Sequence, residues 1–154
     1  MNLLLWRHAE AEDSQPDLER VLTARGRKQA ERVAAWLRGH LPDRHALFVS
    51  PAQRTIQTAE VLAGDYVIDR RLAPGAGVAQ YLAVVDWPVG PAGSAGTVVV
   101  VGHQPTLGNL ASRLLAGSEL GWSVKKGAVW WLTTRERDAG GEVTLRAVIS
   151  PDLL

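Results

Sequence analysis

Five consecutive β-branched residues, Thr97 to Val101, form the most restrictive pattern in this chain. A run of this kind, without alternating polar residues, predicts a strand covered on both faces, as in a parallel sheet between two layers of helices. The apolar run Leu3 to Trp6 predicts a second such strand, and Ala46 to Val49 and Tyr66 to Ile68 are weaker candidates. The chain is therefore predicted to be an α/β protein.

Helical patterns separate these strands. Apolar residues spaced i, i+3, i+4, i+7 predict one helix over residues 30–37, which Gly39 can end, and another over residues 107–114, which Gly117 can end. Ser50, directly before a proline, predicts the N-cap of a further helix.

Two more strands, over residues 129–133 and 142–149, flank the sequence Asp138-Ala139-Gly140-Gly141 and predict a hairpin. In the second strand, alternate residues from Val143 to Ile149 are expected to share one face. The order β-α-β-α-β-(α)-β-α-β-β predicts a three-layer α/β/α sandwich whose central sheet is mostly parallel, with an antiparallel C-terminal edge. We expect a single domain over residues 1–154.

Composition excludes several classes of function. The net charge of +1 gives no bulk electrostatic reason to bind nucleic acid or an anionic membrane. The absence of cysteine excludes disulfides, thiol nucleophiles and thiolate metal sites, and it fits a cytoplasmic protein. No apolar run approaches the length needed to cross a membrane. We expect a cytoplasmic monomer that binds neither nucleic acid nor membrane.

Polar residues directly follow three predicted strands, as Arg7-His8, Ser50 and Gly102-His103. Because the carboxyl ends of parallel strands meet at one edge of a sheet, these residues are expected to lie together. The planar guanidinium of Arg7 suits phosphate oxygens, and its charge favours a neutral His8 whose free ring nitrogen can act as a nucleophile. Each histidine by itself is equally compatible with a structural residue in a turn.

Arg54 is expected in the first turn of the helix after Ser50, where a cation opposes the helix dipole and a bound anion would explain it. Gly102 and a helix beginning at Pro105 suit an anion near His103. Fixed cations can stabilise phosphoryl transfer without a metal, and the chain has no HExxH motif or close His/Asp cluster, so neither metal nor cofactor is expected. The predicted phosphoryl pocket consists of Arg7, His8, Arg54 and His103.

The motifs around these residues resemble those of the histidine phosphatase (phosphoglycerate mutase-like) superfamily, in the same order. They are Arg7-His8-Ala9, Leu22-Thr23 with Gly26, Ser50-Pro51-x-x-Arg54-x-x-Gln57-Thr58-Ala59, and Gly102-His103-x-Pro105. The Arg-His-Ala-x-Ala-Glu opening and the short chain are most similar to the SixA-type branch, the protein phosphohistidine phosphatases. The resemblance implies a phosphoglycerate mutase-like fold without a large cap. It also implies that His8 is the phosphorylated nucleophile and that Arg7, Arg54 and His103 bind the phosphoryl group.

The proton donor is the main departure from the superfamily. Larger members carry an acidic residue after the third strand, whereas residues 70–75 contain none. Because a phosphohistidine releases an imidazole that can already be protonated, this favours phosphohistidine on a partner protein as the substrate. The alternatives are a phosphatase for small esters, such as sugar or nucleotide phosphates, and a non-enzymatic phosphate-binding module. Glu10 and Glu12 are candidate proton donors, unless their segment is a solvated loop. Ser50 is expected to cap its helix and Thr58 to pack.

Overall fold

A computed structural model describes residues 1–62, 64–135 and 141–154. Its strands and helices follow the predicted order. They are β1 (Asn2–Arg7), α1 (Ala24–Arg38), β2 (Ala46–Val49), α2 (Gln53–Glu60), β3 (Val67–Ile68), α3 (Val78–Val85), β4 (Thr97–Gly102), α4 (Thr106–Ala116), β5 (Val129–Thr134) and β6 (Val143–Ile149).

The six strands form one sheet in the order β3-β2-β4-β1-β5-β6. The pairs β3/β2, β2/β4 and β4/β1 are parallel, whereas β5 is antiparallel to β1 and β6 is antiparallel to β5. The predicted α/β fold, with its mostly parallel sheet and antiparallel C-terminal edge, is confirmed. That the chain forms a single domain stays a prediction. The four parallel strands all end at the same side of the sheet, which we call the carboxyl edge.

Helices cover both faces of the sheet, and β4 shows why its sequence is apolar throughout. Val98 and Val100 pack on the face covered by α3 and α4, whereas Val99 and Val101 pack on the face covered by α1 and α2. All six residues of β4 are buried. Trp87 and Trp122, whose roles the sequence left open, pack against the α3–α4 side. No helix in the described ranges is long and apolar enough to cross a membrane.

The prediction that alternate residues of β6 share one face is wrong. Between the pairs Trp131–Ala147 and Leu132–Leu145, β6 has one residue more than β5. A bulge of this kind reverses the side on which the following residues point. Val143 therefore packs on the α3–α4 side and Ala147 on the α1–α2 side. The two strands pair as the hairpin requires, but most of the predicted turn lies in residues 136–140, outside the described residues.

The predicted N-cap of α2 is also wrong. This helix begins at Gln53, its N-cap position is Ala52, and none of the side chains that the structure describes caps it. The Ser50 hydroxyl instead lies 2.7 Å from Nε2 of His103, because Ser50 still follows the line of β2 beside β4. The end of α1 at Gly39 and that of α4 at Gly117 are as predicted, with Gly117 in the left-handed conformation at a φ of 82°.

Candidate active site

The residues that follow β1, β2 and β4 lie side by side at the carboxyl edge. Arg7 is in register with Gly102 across β1 and β4, and the N–H of His8 donates to the carbonyl of Gly102 at 3.2 Å. On the other side of β4, the N–H of Ser50 donates to the carbonyl of Val101 at 3.1 Å. The predicted convergence of these strand ends is therefore present in the backbone itself.

His8 is buried with one ring nitrogen free. Its Nδ1 lies 2.7 Å from the carbonyl oxygen of Ala9, which can only accept, so Nδ1 carries the hydrogen of the neutral ring and Nε2 carries a lone pair. The hydrogen bonds of the described residues include none to Nε2. Burial lowers the pKa of His8 to about 4; the Ala9 carbonyl opposes this shift, and the charges of Arg54 and Arg7 add to it. At neutral pH, His8 is therefore an uncharged imidazole.

His103 lies next to it, with ring centroids 5.4 Å apart and planes tilted by 53°. Its Nδ1 is 3.5 Å from Nη2 of Arg54, which can only donate, so the ring hydrogen sits on Nε2 and is directed at Ser50. Burial, followed by the proximity of His8 and Arg54, lowers the pKa of His103 to about 3. The two neutral histidines thus differ in tautomer: His8 presents a lone pair, whereas His103 presents a hydrogen-bond donor.

Tyr81 of α3 supports His103 and was missed by the sequence analysis. Its hydroxyl accepts a hydrogen bond from the backbone N–H of His103 at 3.2 Å, and the side chain is only 1% exposed. A Cβ at Gly102 would lie 2.2 Å from that hydroxyl. Gly102 is therefore required by packing against Tyr81, and its expected role in the approach of a ligand stays a prediction. The sequence could not indicate this contact, because no periodic pattern links Tyr81 of α3 with the distant loop after β4.

Arg54 is the second residue of α2 and is 4% exposed. Its Nη1 donates to the carbonyl of Asp17 at 2.8 Å, and its Nη2 lies 3.2 Å from Oδ2 of the same residue. Partial burial of Asp17 acts to raise its pKa, but hydrogen bonds from Arg20 and Arg54 hold that pKa below its ordinary value. Asp17 is the second residue that sequence reasoning missed, because nothing marks it within an exposed acidic segment.

Two buried guanidinium donors have no acceptor in the part of the chain that the structure describes. Nη1 of Arg7 donates to the carbonyl of Val124 at 2.8 Å, but Nε of Arg7 and Nε of Arg54 are buried without a hydrogen-bond partner among the described residues. Burial lowers the pKa of Arg7. Buried polar groups are nearly always satisfied, so these exceptions are typical of a site whose acceptor comes with a ligand. An oxyanion between the two arginines and His8 could serve as this acceptor.

Thr58 does more than pack. Its Oγ1 accepts from the N–H of Ala9 at 3.0 Å and donates to the carbonyl of Arg54 at 2.7 Å, so it joins the loop after His8 to α2. On the other side of that loop, a Cβ at Gly26 would lie 1.9 Å from the carbonyl oxygen of Glu10. Gly26 is thus needed for α1 to approach the loop that carries His8.

The two candidate proton donors lie in different surroundings. Oε1 of Glu10 accepts from the Thr23 hydroxyl at 2.9 Å, and its Oε2 lies 3.8 Å from Nη1 of Arg25. Glu12 is exposed, and its backbone N–H donates to the carbonyl of Val21 at 2.8 Å. Glu10 therefore already has a donor and a cation as partners at the start of α1.

A third carboxylate directly follows β3, one residue before the segment 70–75, which contains no acidic residue. Asp69 directly follows Ile68, and its N–H donates to the carbonyl of Val49 at 2.9 Å. Both of its oxygens accept from Arg71, at 2.9 Å from the backbone N–H and 2.7 Å from Nη2. Hydrogen bonding from the Arg71 side chain is the main reason why the pKa of Asp69 is lowered.

Within the described residues, no group of three or more His, Cys, Asp or Glu could hold a metal ion.

Comparison with known proteins identifies the family. The model of the histidine phosphatase superfamily (branch 1) matches residues 3–74. An uncharacterised protein of Picosynechococcus is 32% identical over 126 residues, which cover 76% of this chain and 74% of that protein. A SixA protein from Nakamurella multipartitia is 30% identical, with 97% of this chain and 95% of that one covered and a TM-score of 0.82. The chain belongs to the histidine phosphatase superfamily.

Within the superfamily, the chain resembles the SixA-type branch. The protein histidine phosphatase SixA, solved with tungstate, is 26% identical over 99% of both chains, with a TM-score of 0.79. An α-ribazole phosphatase from Shigella flexneri, 19% identical over 98% of this chain and 97% of its own, shares the fold with a TM-score of 0.69. This chain is a phosphatase, so the non-enzymatic alternative is set aside.

Proposed function

We propose that this phosphatase removes the phosphoryl group from a phosphohistidine on a partner protein, through a phosphohistidine intermediate on His8. The observation that carries the proposal is the free Nε2 of a buried, neutral His8, whose pKa the charges of Arg54 and Arg7 help to lower. Tungstate is a tetrahedral oxyanion, and its presence in a SixA structure supports oxyanion binding by this fold.

The reaction has two steps. In the first, the lone pair on Nε2 of His8 attacks phosphorus, and the P–N bond of the substrate breaks. The departing imidazole, protonated on its other nitrogen, leaves as a neutral group. In the second, water attacks the phosphorus on His8, the Nε2–P bond breaks with its electron pair returning to Nε2, and the proton of the water passes to phosphate or solvent. Arg7 and Arg54 neutralise the charge of the equatorial oxygens in both steps, and His103 helps to bind the phosphoryl group beside them.

The choice of phosphohistidine follows from the surroundings of the carboxylates. An alkoxide leaving group needs a proton donor, which contributes about a hundredfold or more, whereas a protonated imidazole does not. Asp17 and Asp69 accept hydrogen bonds from arginine side chains, which lower the pKa of both carboxyl groups and favour their ionised form.

Rapid-quench labelling tests the nucleophile. The enzyme is mixed with a ³²P-phosphohistidine peptide, quenched in alkali, which preserves the P–N bond, and analysed by mass spectrometry. We expect transient label on His8, none in His8→Gln, and unchanged labelling in His40→Gln, which alters an exposed histidine. Full turnover by His8→Gln would refute the covalent mechanism.

A phosphatase for small esters is the second candidate, because phosphatases of this fold include an α-ribazole phosphatase. Glu10 and Glu12 are the proposed proton donors for such substrates. A panel of sugar and nucleotide phosphates, compared with phosphohistidine peptides, separates the two functions. Higher kcat/KM for an ester, lost in Glu10→Gln or Glu12→Gln, would replace the phosphohistidine proposal.

We also propose that the protein acts in the cytoplasm, as a monomer, without a cofactor and without binding nucleic acid or membrane. The absence of cysteine and the balanced net charge of +1 support this proposal. Light scattering after gel filtration and cell fractionation test the oligomeric state and the location. Activity that survives dialysis against EDTA is expected of an enzyme without a metal.

A further inference from the structure

A basic trough opens beside the site. It consists of a cleft of about 400 Å³, whose wall includes Arg7, and a groove of about 160 Å³ that continues along α1. The two share Arg25, Gln29 and Asp152 as lining residues, so they form one continuous depression. The cations of the basic trough are Arg7, Arg25, Lys28, Arg32, Lys125 and Lys126.

The positive charge of the basic trough is not balanced locally. Its two carboxylates, Glu10 and Asp152, lie 3.8 Å from Arg25 and 3.9 Å from Lys125, at the outer limit for ion pairs. Since the whole chain carries a net charge of only +1, the trough concentrates positive charge in one place. Four of its cations have no ion-pair partner within the described part of the chain: Arg7, Lys28, Arg32 and Lys126.

Helix stability does not account for the cations of α1. Arg25, Lys28 and Arg32 are three and four residues apart, so they lie on one face of the helix. The first turn of α1 contains no acidic residue, although the N-terminus of a helix favours negative charge. All three cations are exposed, and the same face lines the groove. A bound polyanion would supply the missing negative charge.

The basic trough is continuous with the site. Arg7, which belongs to the proposed phosphoryl pocket, also lines the cleft. The N–H of Gly127, the residue after Lys126, donates to the carbonyl of His8 at 3.0 Å. A substrate with its phosphoryl group at His8 would therefore have its neighbouring groups at the mouth of the trough.

We propose that the basic trough binds an acidic segment beside the phosphohistidine of the partner protein and thereby selects acidic phosphoproteins, an inference that rests on the proposed function. From Arg25 to Arg32 the helix rises about 10 Å, the length of roughly three extended residues. Carboxylates spaced along a chain can meet cations over this length, whereas a second phosphate on a small molecule would meet only some of them.

Two fluorescein-labelled phosphohistidine dodecapeptides test this inference, one with glutamates and one with glutamines beside the same phosphohistidine. The test variant is Arg32→Gln with Lys126→Gln. The control is Arg44→Gln with Arg113→Gln, because Arg44 precedes β2 and Arg113 lies near the end of α4, both away from the carboxyl edge. We expect wild type to prefer the acidic peptide roughly tenfold in kcat/KM, and the test variant to lose most of this preference. Hydrolysis of free phosphoramidate should not change, and 0.5 M NaCl should weaken the preference.

Equal kcat/KM for both peptides in wild type would overturn the inference, and so would an equal loss in the test and control variants. If neither peptide is hydrolysed, the proposed function fails, but anisotropy with the unphosphorylated peptides still tests the basic trough. Tighter binding of the acidic peptide, weakened only in the test variant, supports the acidic-segment site. Equal binding of the two peptides refutes this site. The inference is also refuted if the test variant hydrolyses a sugar bisphosphate more slowly than wild type but hydrolyses the acidic peptide as fast as wild type.

Discussion

Lowering the pH from 7 to 5 protonates the histidines of the unfolded chain but leaves His8 and His103 neutral in the folded protein. The unfolded pKa is about 6.5, whereas the folded values are about 4 for His8 and about 3 for His103. The unfolded state therefore binds more protons in this window, and the free energy of unfolding falls as the pH falls. This contribution to stability is complete above the unfolded pKa and is lost progressively towards the folded pKa.

The size of the loss depends little on the folded values. A pH of 5 lies about 1.5 units below the pKa of the unfolded imidazole, and each unit corresponds to about 1.4 kcal/mol. Each buried histidine therefore lowers the free energy of unfolding by about 2 kcal/mol relative to pH 7. Any folded pKa well below 5 gives nearly the same result. Because His8 is 8% exposed and His103 is 5% exposed, solvent screens neither strongly, and both together cost up to about 4 kcal/mol.

Urea titrations at pH 7 and pH 5 measure this loss directly. In His8→Gln the difference between the two pH values should shrink by about 2 kcal/mol, because glutamine does not titrate. In His40→Gln, which alters an exposed histidine, it should stay as in wild type. An unchanged difference in His8→Gln would show that burial does not hold His8 neutral, and the nucleophile would lose its physical basis.

Three further predictions concern the site and the loop that supports it. The kcat/KM for a phosphoramidate should stay level from pH 7 to 5.5, because the pKa of His8 is about 4; a tenfold fall by pH 5.5 would indicate an ordinary histidine. Gly26→Ala should lower Tm by about 5 °C, because its Cβ would lie 1.9 Å from the Glu10 carbonyl oxygen, whereas Gly39→Ala, with its nearest contact at 3.5 Å, should barely change Tm in the same scan. Asp17→Asn should lower the inhibition constant of tungstate about threefold, because it removes a negative charge beside the buried arginine of α2; a higher constant would mean that Asp17 mainly positions that arginine.

Local pattern and chain order were enough to predict the sheet. The valines of β4 are apolar on both faces because helices cover both faces, and that pattern is visible in a single line of sequence. The rule that parallel strands end at one edge then predicted that His8 lies near His103, and the helix start signal around Ser50 predicted that Arg54 lies in the first turn of α2.

Contacts between distant segments required the tertiary structure. The bulge in β6 depends on how two strands pair, so no alternation within one strand could predict which face Ala147 takes. Ser50 satisfies the rules for an N-cap equally well, yet its hydroxyl meets His103 because β2 and β4 are neighbours.

The chain order of residue types determined that arginines and histidines would cluster at the carboxyl edge. Only the tertiary structure decided the chemical state of that cluster. Burial and hydrogen bonds from distant segments set the tautomers of His8 and His103, and the loop containing Asp17 supplies a partner for Arg54. Proton positions and desolvation depend on all the groups that surround a side chain, and those groups come together only when the segments pack.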